Sequence, residues 1–415
     1  MSKRLAAFKI LMIKIRRKLS LLISSAFDFL IFQVEKQRFK PKLSTSDKKI
    51  IVYLCELIPA RAGRMAKWVG KNSSFEVILV CHQDGYVPEF AGGHFSREFT
   101  YRNEWHLRST LLRIGPIDVI HSFAPKCYYP EIGRLFTQKP FILDMQDVVV
   151  TYHGLNPPYA WAKKELIYEK NCLSHADVII GQSLEPRAGI LKYGIKKRPE
   201  TMFFPLFCDD DSLKAQAGKN LEEGIHVVYA GGLAGSHRDR RQFGILQFHT
   251  LIESLSKQEI HFHVYPSPST LPPDYEEYYG IASKNPFFHI HEPVDNDALT
   301  EELAKYHFGI LPFFREDSDL EEDKMKYATS LKMFNFLEAG LPVIISRDIF
   351  YQWWIVMRKN SGVAVSKQDI PDLGKKLRSL DYEHLLKNVD EYRRELSLSK
   401  HIPRIINLYQ RLSSS

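Results

Sequence analysis

Apolar residues follow two rhythms along this chain, and the rhythms take turns. Short runs with little polar interruption, at Ile50–Leu54, Glu76–Cys81, Ile117–Ser122, Phe141–Leu143 and Asp177–Gly181, predict strands. Between them, apolar positions three and four apart predict helices at Arg64–Lys71, Glu104–Arg113 and about Pro158–Cys172. The stretch CDDDSLKAQAGKNLEEG (208–224) is polar, acidic and poor in apolar residues, as an interdomain linker would be. Beyond it the alternation restarts, with strands in IHVVYAGG (225–232), IHFHVY (260–265), FFHIHEP (287–293) and FGILPF (308–313). Helices are expected at Phe243–Leu255 and Asp297–Tyr306. Such alternation with apolar strands predicts two Rossmann-like, doubly wound parallel sheets. A length of 415 residues suits two cores better than one. The expected division is 1–47 for an N-terminal segment and linker, 48–207 for a first domain, 208–224 for the linker, 225–385 for a second domain and 386–415 for a helical C-terminal region.

One stretch compresses a helix, a stop and a buried strand: TSLKMFNFLEAGLPVII, Thr329–Ile345. Leu331, Met333, Phe334, Phe336 and Leu337 form a wide apolar face. Gly340 and Pro342 end the helix, and Val343–Ile345 reads as a strand covered on both faces. Lys332, Asn335 and Glu338, three apart, draw a polar stripe on an otherwise buried helix, which calls for a polar ligand.

Charge changes the picture at one end only. The formal net charge is +8, yet residues 1–49 hold thirteen Lys/Arg against Asp28, Glu35 and Asp47, a net +10 that leaves the rest at −2. A nucleic-acid-binding fold would spread its basic residues more widely, so nucleic acid is not an expected partner. The segment KRLAAFKILMIKIRRKLSLLISSAFDFLIF mixes basic residues with Leu, Ile and Phe at near-helical spacing. Charges interrupt its apolar run too often for a signal peptide or a membrane span. A basic amphipathic helix lying on the cytoplasmic face of an anionic bilayer fits better than a helix docked on the protein's own body. Five scattered cysteines, with no C-x-x-C, read as buried free thiols in a reducing compartment.

Two Rossmann-like halves on a linker suggest an enzyme working in the cleft between them, and the motifs sharpen this. DVIHSFAP (118–125), EKNCLSHADVIIGQS (169–183), VVYAGGLAG (227–235), HFGILPF (307–313) and TSLKMFNFLEAGLPVI together, in that order, resemble the retaining GT-B glycosyltransferases of the bacterial polysaccharide type, over roughly residues 48–413. The resemblance implies a nucleotide-diphosphate sugar as donor substrate, transfer with retention, and no other cofactor. It also implies that the C-terminal helix, HIPRIINLYQRL, packs back on the first domain. The chemistry suits these positions. Backbone N–H groups at the start of a helix favour a diphosphate, so Thr329, Ser330, Leu331 and Lys332 are candidate donor contacts. Gly231 and Gly232 would let backbone approach the phosphates, and Arg238, in SHRDRR, could grip one. Asn335 stands where the family has a ribose-binding Glu, and Glu338 could compensate.

In the first half, Gln146–Asp147 replaces a frequent His-Asp pair. Asp147 or His121 would orient the acceptor hydroxyl, with His153 nearby, and Arg61, Gly63 and Arg64 would seat a phosphorylated or lipid-diphosphate acceptor. The aspartates at 209–211 resemble the metal-binding acid motif of other nucleotide-sugar enzymes, but they sit in the expected linker and not at a strand end, so they read as solvated. The acidic run 316–323 lacks the turn glycine and spacing of a calcium loop, and no metal is expected. The sequence thus points to a cytoplasmic, membrane-peripheral glycosyltransferase acting on a glycan or lipid-linked acceptor. Two other readings stand beside it: a catalytically silent GT-B protein that scaffolds a partner glycosyltransferase, and a nucleotide-sugar epimerase.

Overall fold

Seven strands form a first sheet: β1 (Ile50–Cys55), β2 (Glu76–His82), β3 (Arg97–Tyr101), β4 (Val119–Ala124), β5 (Phe141–Met145), β6 (Val178–Gly181) and β7 (Glu200–Phe203), in the order β3-β2-β1-β4-β5-β6-β7. Six form a second: β8 (Ile225–Gly231), β9 (Ile260–Pro266), β10 (Phe288–Ile290), β11 (Phe308–Leu311), β12 (Val343–Ser346) and β13 (Gly362–Val365), in the order β10-β9-β8-β11-β12-β13. The strands of the second sheet are parallel throughout, as are β1–β5. The computed structural model describes residues 2–38, 48–214, 221, 224–268, 270–317 and 322–414. The linker expected around 39–47, most of 215–223 and the middle of the acidic run at 318–321 lie outside them.

Central strands are buried end to end because helices cover both faces of a parallel sheet, which is why they read as unbroken apolar runs. The edge strands β3 and β7 are mostly exposed, so they carry REFTY and ETMF instead and gave no apolar signal.

The chain divides into two compact units, 1–145 with 167–179 and 405–415, and 146–166 with 180–404. The boundary therefore does not fall at the expected 207. Helices Val149–His153 and Glu185–Lys192 pack with Glu322–Tyr327, and this draws residues 146–166 and 180–207 into the second unit. Residues 405–415 join the first unit, where the Tyr409 hydroxyl bonds both Tyr53 and His121. The aspartates at 209–211 are no solvated linker: Asp210 accepts from the backbone and hydroxyl of Ser399 and from Ser397, while Cys208 bridges to Ser397.

The helix Ser2–Arg38 docks its C-terminal part on the helix Glu104–Ile114. Buried Asp28 accepts from Arg102 and Asn103, and the Phe29 and Phe32 rings meet Trp105 at 4.7 and 5.8 Å. Leu19, Leu22, Ile23, Phe27, Leu30 and Val34 remain exposed. Among the described residues no helix is long and apolar enough to cross a membrane. All five cysteines are buried thiols outside any disulfide among the described residues.

Register on the second sheet produces an unusual feature. His226 pairs with His261 across β8 and β9, and His263 with His289 across β9 and β10. Parallel neighbours hold equivalent side chains side by side, so these rings stack at 4.3 Å, as do Tyr265 and His291. Ring nitrogens meet at 3.0 Å between His226 and His263, His263 and His291, and His261 and His289.

Candidate active site

In the second sheet the strand order reverses between β8 and β11, and such switch points are where open α/β sheets bind ligands, beyond the carboxyl ends of the strands. Gly231 closes β8 there with φ of +147°, a conformation that side chains resist. Space forbids a side chain as well, since a Cβ on Gly231 would lie 2.0 Å from Cε of Lys332. Lys332 sits in the first turn of the helix Leu331–Glu338, whose N-cap Ser330 accepts from the Lys332 amide at 3.3 Å. Its ammonium lies 5.8 Å from the ring centre of Tyr229 and 5.6 Å from that of Phe313, just past β11. Burial among these groups pushes the lysine down to about 8, with the Asp147 carboxylate pulling the other way. A cation in the first turn also opposes the helix dipole. The arrangement therefore holds a lysine that an arriving anion would stabilise. Two buried polar atoms nearby in the fold, Thr329 Oγ1 and Gln352 Oε1, have no hydrogen-bond partner among the described residues, while Gln352 Nε2 donates to the Ser330 carbonyl at 3.4 Å.

Asp147 follows β5 and is clamped. Lys324 Nζ donates to Asp147 Oδ1 at 2.6 Å and to both oxygens of Glu185 at 3.0 and 3.2 Å, over the face of Tyr152 at 4.0 Å. Partial burial would raise the Asp147 carboxyl, but the Lys324 ammonium holds it below the usual carboxylate range. Glu185 is shifted up by its deeper burial, which the same lysine only partly offsets. Lys324 itself is held charged by the two carboxylates in spite of burial. Gln146, beside Asp147, has a buried Nε2 without a partner among the described residues.

The other sequence-predicted residues are placed differently. His121 is fully buried: Nδ1 meets the Tyr409 hydroxyl, and the ring stacks on Phe123 at 4.4 Å. Burial lowers its pKa, and the side chain is part of the first unit's core rather than a group reaching solvent. Arg61 is buried too and donates to Asp144 at 2.9 Å, so its charge answers an internal carboxylate. Gly63 serves packing, because a Cβ there would stand 1.9 Å from the Phe90 carbonyl oxygen. Arg64 is half-buried on the same helix, Ala60–Asn72. His153 packs edge-on to Tyr159 and Trp161 at 5.5 and 5.4 Å. Arg238 spends its planar fork on Asp274, with two bonds of 2.6 Å, so a phosphate there would have to compete with this carboxylate. Gly232 takes the Tyr229 hydroxyl on its carbonyl at 2.8 Å.

Glu338 departs from the stripe. Steps of three fall about 60° short of a full turn each, so Glu338 lies roughly a third of a turn from Lys332. Its buried carboxylate accepts from the Asp209 amide at 2.8 Å, and its carbonyl accepts from Lys214 N and Arg393 Nη1 at 3.1 Å each. Asn335 is half-buried between the two. Sequence reasoning missed Lys324, Glu185 and Gln352. Lys324 adjoins an acidic run and Glu185 opens a helix, both ordinary surface signatures, and their pairing spans 139 residues. Among the described residues no group of three or more His, Cys, Asp or Glu is arranged to hold a metal ion.

Residues 244–407 match the family model described as glucosyltransferase 3-like, C-terminal domain. The chain's architecture is similar to the N-terminal domain of trehalose-6-phosphate phosphatase from Candida albicans, at 13% identity and a TM-score of 0.57 over 90% of this chain and 99% of that one. It is similar to α,α-trehalose 6-phosphate synthase from Burkholderia multivorans at 11% identity and a TM-score of 0.56, covering 89% and 99%. UGT2 of Phytolacca americana, solved with UDP-2-fluoro-glucose and pterostilbene, gives 9% identity and 0.51, covering 87% and 100%. The fold is GT-B. No curated protein matches the sequence. The likeness therefore holds for the GT-B fold over 87–90% of the chain and, over residues 244–407, for a glucosyltransferase-like sequence. Within GT-B, Gly231 and Lys332 occupy the switch point of the second sheet.

Proposed function

We propose that the protein is a glycosyltransferase that binds a nucleotide-diphosphate sugar at the start of the helix Leu331–Glu338 and transfers the sugar to a glycan or lipid-linked acceptor with retention. The observation that carries this is the contact of Gly231 with Lys332, a bare backbone and a half-buried lysine meeting at a sheet switch point. The diphosphate would take its charge partners from Lys332 and the helix start, with no metal called upon. In the transfer, the bond from the anomeric carbon to the phosphate oxygen breaks and its electron pair leaves with the nucleoside diphosphate. The acceptor oxygen bonds the same carbon, and its proton passes to the departing diphosphate. Asp147 would orient the acceptor hydroxyl, because its Oδ2 accepts no hydrogen bond among the described residues while Oδ1 is clamped.

The basic N-terminal helix would attach the enzyme to the anionic cytoplasmic face of a membrane, where lipid-linked acceptors lie. Its exposed apolar residues from Leu19 to Val34 support this. A silent, scaffolding GT-B protein is favoured by one observation, the substitution of Asn335 and Gln146 at expected site positions. The test incubates the full chain with UDP-glucose, UDP-N-acetylglucosamine and GDP-mannose, with and without bacterial membrane lipid, and follows nucleoside diphosphate release. Lipid-stimulated release supports transfer; binding without release under any condition would favour the scaffold.

A further inference from the structure

We propose that Lys324, backed by Glu185, is a positioning residue that fixes Asp147 as an ionised, singly clamped carboxylate for acceptor recognition; this rests on the transferase reading above. The geometry is directional. Lys324 is buried on the helix Glu322–Tyr327, far in sequence from both carboxylates. Behind it, Glu185 is fixed from two sides, by the Thr151 hydroxyl at 2.9 Å on one oxygen and the Ser183 hydroxyl at 3.3 Å on the other. In front, Asp147 keeps 46% of its side chain exposed. One lysine thus joins a rigid buried anchor to an accessible carboxylate. Both contacts to Asp147, from Lys324 at 2.6 Å and from the Tyr152 hydroxyl at 3.3 Å, fall on Oδ1. A lone surface ion pair would leave the aspartate free to rotate; a lysine tied to a second, buried carboxylate does not.

The charged and titratable groups around Asp147 are Lys324 and Tyr152 in contact, Glu185 across the lysine, and Lys332 acting at longer range. Removal of Lys324 leaves two neighbouring carboxylates. Glu185, already shifted upward, would take up a proton and allow the fold to persist.

The experiment follows Asp147 itself. The full chain is labelled with 13C at the aspartate carboxyl, its resonance is assigned by its loss in Asp147→Asn, and it is titrated by NMR. The wild-type midpoint is expected below the usual aspartate range. It should rise by at least one pH unit in Lys324→Met and in Lys324→Met/Glu185→Gln, and return in Lys324→Arg. The double variant guards against misfolding, since it removes the cation and its buried partner together. An Asp147 midpoint that stays put in both Met variants, in folded protein, would overturn the proposal. Turnover of the three nucleotide-sugars is measured in parallel. Unchanged turnover in Asp147→Asn would overturn the role of Asp147 in transfer and with it the recognition role, while the titration still decides whether Lys324 sets the carboxylate's state.

Discussion

Lys332 ties a titration to a function. Its folded value near 8 lies below the ordinary lysine value, so burial favours the neutral form. A bound diphosphate would favour the charged form. Below pH 8 the lysine is already charged and donor affinity should be flat. Above it, binding must take up a proton, so affinity should weaken as pH rises, by up to tenfold per unit until the bound lysine itself titrates. Calorimetry of UDP-glucose and GDP-mannose binding in buffers of different ionisation heat would detect the proton uptake between pH 8 and 9.5. Binding that is unchanged across that interval would detach Lys332 from the phosphate. Asn335→Glu, which installs the carboxylate that the resemblance implies one turn on, should leave donor binding equal or tighter. The sequence grouped Gly231 with Lys332 through their motifs, and the structure brings the two together. The sequence carried no sign of charged residues that answer a distant partner. Arg61, Arg238 and Glu338 all look available in sequence, and each is taken by a group 36 to 129 residues away.

At the scale of elements, the central strands and the helices Glu104–Ile114 and Leu331–Glu338 were read within a few residues, because burial on both sides of a strand and on one side of a helix leaves distinct periods. Edge strands β3 and β7 lack that burial and were not seen. The histidine stack was invisible for another reason. Its histidines belong to β8, β9 and β10, and only the parallel register brings them together. Burial and mutual repulsion lower His226 to about 4 and His263 to about 2, and burial lowers His261, His289 and His291. These groups stay neutral when folded but charge when unfolded below the free histidine value, so stability is retained at neutral pH and lost on acidification below about 6.5. Thermal unfolding should show a fall in Tm between pH 7 and 5 that is shallower in His261→Phe/His289→Phe, which replaces one histidine of each stacked pair. Equal slopes would show that the stack does not set acid stability. The N-terminal helix gives a separate test. Leu22→Glu/Ile23→Glu/Phe27→Glu alters exposed positions and spares the docked Asp28 and Phe32. Flotation with vesicles containing phosphatidylglycerol should fall at least fivefold in this variant; equal flotation would contradict membrane attachment by that face.

For the whole molecule, the alternation of strand and helix periods and the order of the motifs were enough to read two parallel sheets and GT-B. The compact units were less legible. Residues 146–166 and 180–207 cluster with the second unit because side chains of Val149–His153, Glu185–Lys192 and Glu322–Tyr327 pack together, and no local pattern encodes such a meeting. The central claim is that the start of the helix Leu331–Glu338 receives a nucleoside diphosphate. Thermal unfolding of the full chain with UDP, GDP, ADP and their glucose conjugates tests it most directly. One nucleotide should stabilise the wild type, by about 2.7 kcal/mol at a hundred times its Kd. Lys332→Ala removes a charge-assisted contact of about 1.5–3 kcal/mol, and should weaken that Kd roughly ten- to a hundredfold while leaving the unliganded Tm nearly unchanged. Stabilisation of equal size in wild type and Lys332→Ala, or by no nucleotide at all, would contradict the account.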